Sequence, residues 1–378
     1  MSEPGMDKLW RVVRMANPRG LQKDSMNRVR LTLFLSYLGL ATFVCAQTAP
    51  KYKLVEFDVP LAGQGENQGT VGRYLSADGA ITGHYIDSYN MVHGFLRNSD
   101  GTFTTFDPTE SVATYPLGVN ATHVIVGTYN DAHGILHGFI RSADGKIAPY
   151  DAPGAGGGEG EGTILEAINT SGESVGYYLD ANSSYHGFLL TSTGTFTQFD
   201  APHAGTGPYR GTFPAGLTDR GAVGGTVYDA NFEAHGFLRA AGGTFAEFDA
   251  TSNAPTFVFG INSAETLVGS YSPETYPLGG FLRTANGEIS VIGISGTTLD
   301  VNSINDAGVV VGYYANGDPL RAIVAYVRTP GGWVAYFKAP DAGTGRGQGT
   351  FPYANNNSGE ITGTYVDSAG AYHGFVVE

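Results

Sequence analysis

The chain has one cysteine, Cys45, among 378 residues. A disulfide framework is therefore excluded, and stability has to come from burial. Basic residues are scarce, with 21 Lys and Arg against 35 Asp and Glu and a formal net charge of −14. A surface of that sign repels nucleic acid and anionic lipid. No stretch shows the 3.6-residue hydrophobic period of an amphipathic helix. The one long apolar run, from Leu31 to Val44, is shorter than the ~20 residues a bilayer span needs. Also missing are a Walker loop, a dinucleotide fingerprint, a His-Glu-x-x-His pair and a nucleophile elbow. Gly154 to Gly158 is glycine-rich but opens no helix, so it does not read as a phosphate cradle.

What is abundant is glycine (56), tyrosine (22) and phenylalanine (21), set in a phrase that returns about every 45 residues. The phrase resembles Val-Gly-x-Tyr-x-Asp, then His-Gly-Phe-Leu, then Gly-Thr-Phe-x-x-Phe-Asp. Its central aromatic falls at Phe95, Phe139, Phe188, Phe237, Phe281, Tyr326 and Phe375, at spacings of 44 to 49. A glycine recurs in all seven units at Gly83, Gly127, Gly176, Gly225, Gly269, Gly312 and Gly363. Seven residues before each stands a small turn-former: Ser76, Asn120, Asn169, Thr218, Asn262, Asn305 and Asn356. These markers divide each unit into four short strands rich in Val, Ile, Thr, Tyr and Phe. The Asn caps the first turn, and the mid-strand glycine marks a close backbone approach. Four strands per unit at this length is the blade of a β-propeller, each blade a small sheet unable to cover its own faces.

The seventh unit stops at Glu378 without a fourth strand. The segment Lys51-Tyr52-Lys53-Leu54-Val55-Glu56-Phe57-Asp58 matches the missing piece, and pairing it with the last unit removes an open sheet edge. The expected fold is therefore all-β: a seven-bladed β-propeller of four-stranded blades, closed by the N-terminal strand completing the last blade.

The Gly-Ile-Asn, Val-Gly-x-Tyr-x-Asp and His-Gly-Phe-Leu phrases resemble the HAF-type repeats of bacterial extracellular proteins, over essentially all of residues 50–378. That resemblance implies a secreted, propeller-like repeat protein and brings no catalytic residues with it. The units at Gly279 and Val324 depart from the His-Gly-Phe pattern.

Residues 1–46 read as a targeting segment, with a start at Met26 also fitting. Met26 to Arg30 is basic, Leu31 to Val44 apolar, and Val44-Cys45-Ala46 a cleavage pattern. Cleavage after Ala46 leaves residues 47–378 as a single domain, exported to the periplasm or beyond and not held in a membrane. It also takes seven of the 21 basic and three of the 35 acidic residues, leaving 14 and 32 and a formal charge of −18.

Five units place an Asp six residues before the repeat histidine: Asp87/His93, Asp131/His137, Asp180/His186, Asp229/His235 and Asp367/His373. A group repeated around a ring does the same local job each time, so these read as hydrogen-bonded pairs locking each hairpin. If those histidines are neutral inside, the fold is acid-sensitive. Trp333 reads as core.

Asymmetry enters with four long links that start at Pro60, Pro153, Pro202 and Pro340 and run into Gly-Thr. They are expected on the face of the Asp-bearing turns, where a rigid scaffold displays binding residues. The candidate ligand residues are Glu66, Glu159, Glu161, His203, Tyr209, Arg210, Asp341 and Arg346. Arg210 and Arg346 are taken to occupy matching places, each suited to a carboxylate. The expected function is a monomeric binding or scaffold module for an extracellular glycan or protein partner, without nucleic acid. The alternative is a polysaccharide hydrolase or lyase at the channel mouth, and glycoside hydrolysis there needs two of Glu66, Glu159, Glu161 and Asp341 together. No cofactor is expected, though the excess of carboxylates admits calcium.

Overall fold

A computed structural model describes residues 53–252, 254–273, 278–293, 297–316 and 322–378. The leader expected over 1–46, and Lys51 and Tyr52, lie outside the described residues. The described chain is all strand and turn, and no helix in it is long and apolar enough to cross a membrane.

Strand β1 (Leu54–Phe57) stands first. Unit one is β2 (Gly69–Leu75), β3 (Ile81–Ile86), β4 (Val92–Arg97) and β5 (Phe103–Phe106). Unit two is β6 (Ala113–Val119), β7 (Ile125–Asn130), β8 (Leu136–Arg141) and β9 (Ile147–Tyr150). Unit three is β10 (Gly162–Ile168), β11 (Ser174–Leu179), β12 (Tyr185–Leu190) and β13 (Phe196–Phe199). Unit four is β14 (Gly211–Leu217), β15 (Val223–Tyr228), β16 (Ala234–Arg239) and β17 (Phe245–Phe248). Unit five is β18 (Thr256–Ile261), β19 (Leu267–Tyr271), β20 (Gly279–Arg283) and β21 (Ile289–Ile292). Unit six is β22 (Thr297–Ile304), β23 (Val310–Asn316), β24 (Val324–Arg328) and β25 (Val334–Phe337). Unit seven is β26 (Gly349–Asn355), β27 (Ile361–Val366) and β28 (Tyr372–Val377). Its fourth place is taken by β1, antiparallel to β28 with Leu54 opposite Val377 and Phe57 opposite Gly374.

The expectation of seven separate small sheets needs correction. Units one to four and seven join into one mixed sheet of 20 strands, while units five and six are four-stranded sheets of their own. The joins are single parallel pairings: Val92 with Ala113, Leu136 with Gly162, Tyr185 with Gly211, and Tyr372 with Gly69. Glycine makes three of them possible. Gly69, Gly162 and Gly211 each have φ of +122°, and a Cβ on Gly69 would lie 1.9 Å from the Tyr372 carbonyl oxygen. The sequence shows the Gly-Thr junction but not this approach.

Every first strand carries one bulged residue, at Arg73, Leu117, Glu166, Ala215, Phe259, Asn302 and Tyr353. A bulge bends its strand and re-aims the extra side chain. The repeat glycine of the second strand sits under that bend. A Cβ on Gly83 would be 2.0 Å from the Val71 oxygen, and one on Gly269 1.9 Å from the Phe257 oxygen. Consecutive first strands pack on one another, and β26 packs on β2, so together they form an inner wall.

The core lies between units rather than within them. The repeat aromatics Phe95, Phe139, Phe188, Phe237, Phe281 and Phe375 are fully buried, with Tyr326 in the same place in unit six. Ala80 and Leu96 of unit one pack with Val119, Ile125 and Phe139 of unit two. Arginines ending the third strands reach across the same joints: Arg97 lies 4.9 Å from the Phe57 ring and Arg141 5.0 Å from Phe106. Trp333, expected inside, is 49% exposed in the turn between β24 and β25, where Thr329 and Trp333 only close a backbone turn.

Phe57 is the test of the terminal pairing. It is buried among Val59, Ile81, Phe95 and Val376 and lies over Gly374. Phe57→Ala is expected to lower the unfolding free energy by about 3–5 kcal/mol, as for other buried rings. Equilibrium denaturation measures it, and a loss under about 1 kcal/mol would show that β1 does not hold the last unit.

Candidate functional site

The four long links lie on the turns between second and third strands, as expected. Gly63, Gly156, Gly205 and Gly343 donate their N–H to the carbonyls of Ile86, Leu179, Tyr228 and Val366 at 2.7–2.9 Å. Each link closes on itself two residues before its Thr. Gln68, Glu161 and Gln348 accept the N–H of Gly65, Gly158 and Gly345 at 3.0, 2.8 and 2.8 Å. The third link puts Arg210 in that place, so its glycine turns elsewhere and Gly207 donates to Ser184 Oγ at 2.7 Å. Arg210 therefore corresponds to Gln348 and not to Arg346, which shares its place with Glu66, Glu159 and Pro208. The expected matching of the two arginines is wrong.

The candidate residues separate by this construction. Glu66 and Glu159 are exposed and lean over Gly370 and Gly134 of the preceding turns. Glu161 is folded under its own loop. Asp341 and Arg346 are exposed on the link entering unit seven. The imidazole of His203 bonds the Glu247 carboxylate. The four loop carboxylates thus belong to three different joints.

Tyr209 and Arg210 do come together, with a residue that sequence reasoning missed. Arg210 donates from Nε to the Ala230 carbonyl at 3.2 Å, and its guanidinium carbon lies 5.5 Å from the Phe232 ring centre. Tyr209 and Phe232 are 38% and 39% exposed, and both have left-handed backbone, φ +61° and +67°. Other units put Asn67, Gly160 and Gly347 where Tyr209 stands, and Asn90, Gly134, Ser183 and Gly370 where Phe232 stands, all at positive φ. Bulky residues there are backbone outliers. Behind the pair runs a stack of rings: Tyr209–Tyr185 at 6.4 Å, Tyr185–Phe213 at 3.8 Å and Phe213–Tyr177 at 5.2 Å. Phe232 joins it through Tyr228 at 5.2 Å, and Tyr228 meets Phe213 at 5.4 Å. The signal was available as Tyr and Phe at turn positions held elsewhere by Asn, Ser and Gly.

The repeat histidines have a second partner. Nδ1 of His93, His137, His186, His235 and His373 bonds Asp107, Asp151, Asp200, Asp249 and Asp58 at 2.7–3.1 Å. The hairpin aspartates of four of them stand 3.5–3.7 Å from Nε2 and chiefly cap their own turns. Asp87, for example, accepts the N–H of Tyr89 and Met91. Burial raises the carboxyl pKa of Asp87, Asp131, Asp180, Asp229 and Asp367, but these backbone donors outweigh it and hold each below the usual range. One ligand-type cluster occurs among the described residues: Asp229, Glu233 and His235 have donor atoms within 4.8 Å of one another. Two carboxylates and an imidazole fall short of the six to eight oxygens that calcium takes.

On the inner wall, Arg73 lies 4.8 Å from the Tyr353 ring centre, and Asn302 Nδ2 donates to the Pro352 carbonyl at 2.7 Å. Burial pushes the Glu166 carboxyl up to about 7, against the pull of Arg73. Burial likewise raises Asp300 to about 6, although Tyr313 and Ser270 bond it. His84, buried near Arg73, is lowered to about 3.

No family model and no curated protein matches the chain. Solved structures do. A virginiamycin B lyase from Staphylococcus aureus aligns with TM-score 0.56 at 13% identity, over 87% of this chain and 100% of that one. A puromycin hydrolase aligns with TM-score 0.51 at 11% identity, over 81% and 50%. The lectin BP39L from Burkholderia pseudomallei gives 0.49 at 9% identity, over 80% and 96%. At such identities the first two likenesses establish a shared propeller-like fold and no more.

The imidazoles set a pH dependence opposite to that of a neutral buried histidine. Bonds to Asp200 and Asp58 raise the pKa of His186 and His373 above 6.5 despite partial burial. Their stabilising contribution is full below the unfolded value of ~6.5 and is lost as pH climbs through the raised folded value. The melting temperature is therefore expected to fall between about pH 6 and pH 8, and Asp58→Asn to flatten that fall. A profile identical in the variant would remove the His373–Asp58 contribution.

Proposed function

We propose that the protein is a secreted repeat protein, a seven-bladed β-propeller closed by β1, whose long-link face binds an extracellular glycan. The pairing of β1 and β28, the contact of β26 with β2 and the propeller-like neighbours support the ring. The basic-apolar-small pattern ending at Ala46 supports export.

One observation carries the binding reading. Tyr209 and Phe232, exposed beside Arg210, occupy left-handed positions that the other long links and turns give to Asn, Ser or Gly. Backbone strain of roughly 1–3 kcal/mol persists where something else selects it. Two aromatic faces and a guanidinium on rigid loops suit the apolar faces and hydroxyls of a sugar chain. Glycoside hydrolysis needs two acidic groups flanking one bond, and of the four loop carboxylates only Glu159 and Glu161 share a joint, with Glu161 turned in to accept the Gly158 N–H of its own loop.

A glycan and cell-wall polymer screen on the mature chain, followed by titration calorimetry of the polymer retained, tests this. Tyr209→Asn and Phe232→Asn are each expected to weaken binding about tenfold or more, about 1.4 kcal/mol. Stability is expected to hold or rise by up to about 1 kcal/mol, because Asn tolerates the left-handed region. Variants that bind as well as the parent, or a screen with no glycan retained, would overturn the reading.

A further inference from the structure

The arginine that ends a third strand has a fixed pose. Arg97, Arg141, Arg239 and Arg283 lie 4.8–5.0 Å from Phe57, Phe106, Phe199 and Phe248, each the last ring of the unit before. Each donates from Nη1 to the carbonyl of the next residue at 3.2–3.4 Å. Each also sets Nη2 beside the glycine of the following turn, 3.5–3.6 Å from where a Cβ would stand on Gly101, Gly145, Gly243 or Gly287. A ring face, a carbonyl and an open glycine thus make a seat for a guanidinium, and the chain builds it at four joints.

Unit three has the seat without the arginine. Leu190 stands in its place, while the ring is kept as Tyr150 and the turn glycine as Gly194. Leu190 packs with Tyr150 and Ile140, and among the described residues a Cβ on Gly194 would meet nothing within 4 Å. A cavity of about 570 Å3 opens there, with Tyr150, Ile140, Leu190, Gly194, Ser142 and Thr191 in its walls. It lies at the strand ends away from the long links. None of the described residues lining it is charged, and the chain carries −14 overall, so an entering cation meets no repulsion. The Thr191 carbonyl accepts the Gly194 N–H at 2.9 Å and has a second lone pair for another donor. Unit seven also lacks the arginine, at Val377, but there Leu54 of β1 and Phe337 pack on the cluster that holds Val377.

We infer that the joint between units two and three binds a guanidinium group from outside the chain, seated in the cavity that Leu190 leaves over Tyr150. Its flat face lies on the Tyr150 ring, and an N–H on its edge donates to the Thr191 carbonyl. A guanidinium fits better than an ammonium because the four occupied seats pair a planar edge with a carbonyl and a planar face with a ring. The ligand is a small guanidine or the arginine of a peptide. This site is separate from the Tyr209 and Phe232 face and does not depend on glycan binding there.

Nitrogen-15 NMR of the full mature chain tests this through the Thr191 and Gly194 amides. Ethylguanidinium chloride, ethylammonium chloride, glucose and the tripeptide Gly-Arg-Gly are titrated separately at constant ionic strength. Ethylguanidinium is expected to shift both amides saturably, and ethylammonium and glucose to leave them in place. Leu190→Arg is expected to abolish the shift, because its own guanidinium takes the seat, with the melting temperature held or raised. Tyr150→Leu is expected to weaken binding about fivefold or more through loss of the ring face, and it decides the matter if Leu190→Arg does not fold. Tighter binding of the tripeptide than of ethylguanidinium assigns a peptide source, and otherwise the source is a small guanidine. No saturable shift from either guanidinium probe, an equal response to ethylammonium, a response to glucose alone, or binding unchanged in Leu190→Arg would overturn the inference.

Discussion

An asparagine side chain that answers two needs holds neighbouring units in step. Asn120 Oδ1 accepts the N–H of Thr122 and Val124, closing the turn after its own first strand, while Nδ2 donates to the Asn169 carbonyl of the next unit at 3.2 Å. Asn169 does the same toward Thr218, Asn262 toward Asn305 and Asn305 toward Asn356. Asn356 donates to the Ser76 carbonyl, 280 residues back along the chain. Buried polar groups must be paired, and here the pairing that one turn requires also fixes the distance to the next sheet. With that distance fixed, the repeat phenylalanines fill the gap between sheets. Two joints lack the amide because Ser76 and Thr218 replace Asn. The first is bridged instead by His123 on Asp78 at 2.7 Å.

A girdle of this kind leaves most of the chain with structural work only. The histidine clasps, the mid-strand glycines and the third-strand arginines recur from unit to unit with nearly the same geometry, so none of them singles out one unit. Individual chemistry is confined to positions where one unit departs from the rest without a local reason. Tyr209 and Phe232 are such departures, and Asp300 is another, standing where other units have Val71, Tyr115, Ile164, Phe213, Phe257 or Phe351. Asp300 is answered inside the fold, by Tyr313 and Ser270.

The sequence makes the frame legible because the frame is periodic. Asn, Gly and Phe at fixed offsets each answer one steric or hydrogen-bonding demand, and seven copies make the demand visible. The terminal pairing was equally readable, since a missing fourth strand at one end and a spare one at the other leave a single solution for the open edges. Contacts between units were not readable. Nothing in the His-Gly-Phe phrase says that Nδ1 will find the aspartate 14 residues on rather than the one six residues before. Nor does Gly-Thr announce that a glycine at φ +122° will bridge to the previous sheet. The candidate site was half legible: Tyr209 and Arg210 lie in a link already marked by length. Phe232 carries no motif, and it stands out only when seven equivalent positions are superposed.

The same repetition lets a glycine-rich acidic chain hold strained residues. Each joint buries a full aromatic ring and closes its turns with backbone donors, so the frame does not depend on any one loop conformation. Two left-handed aromatics in unit four cost only a few kcal/mol, roughly 1–3 kcal/mol each. Burial distributed over seven joints offsets that, and the loss of one joint is felt mainly by its two neighbours. A repeat array can therefore keep local departures that a single small core would reject. Tyr209 and Phe232 both belong to unit four and its link, and the aromatic stack behind them runs through Tyr185 and Phe213 to Tyr177 of unit three.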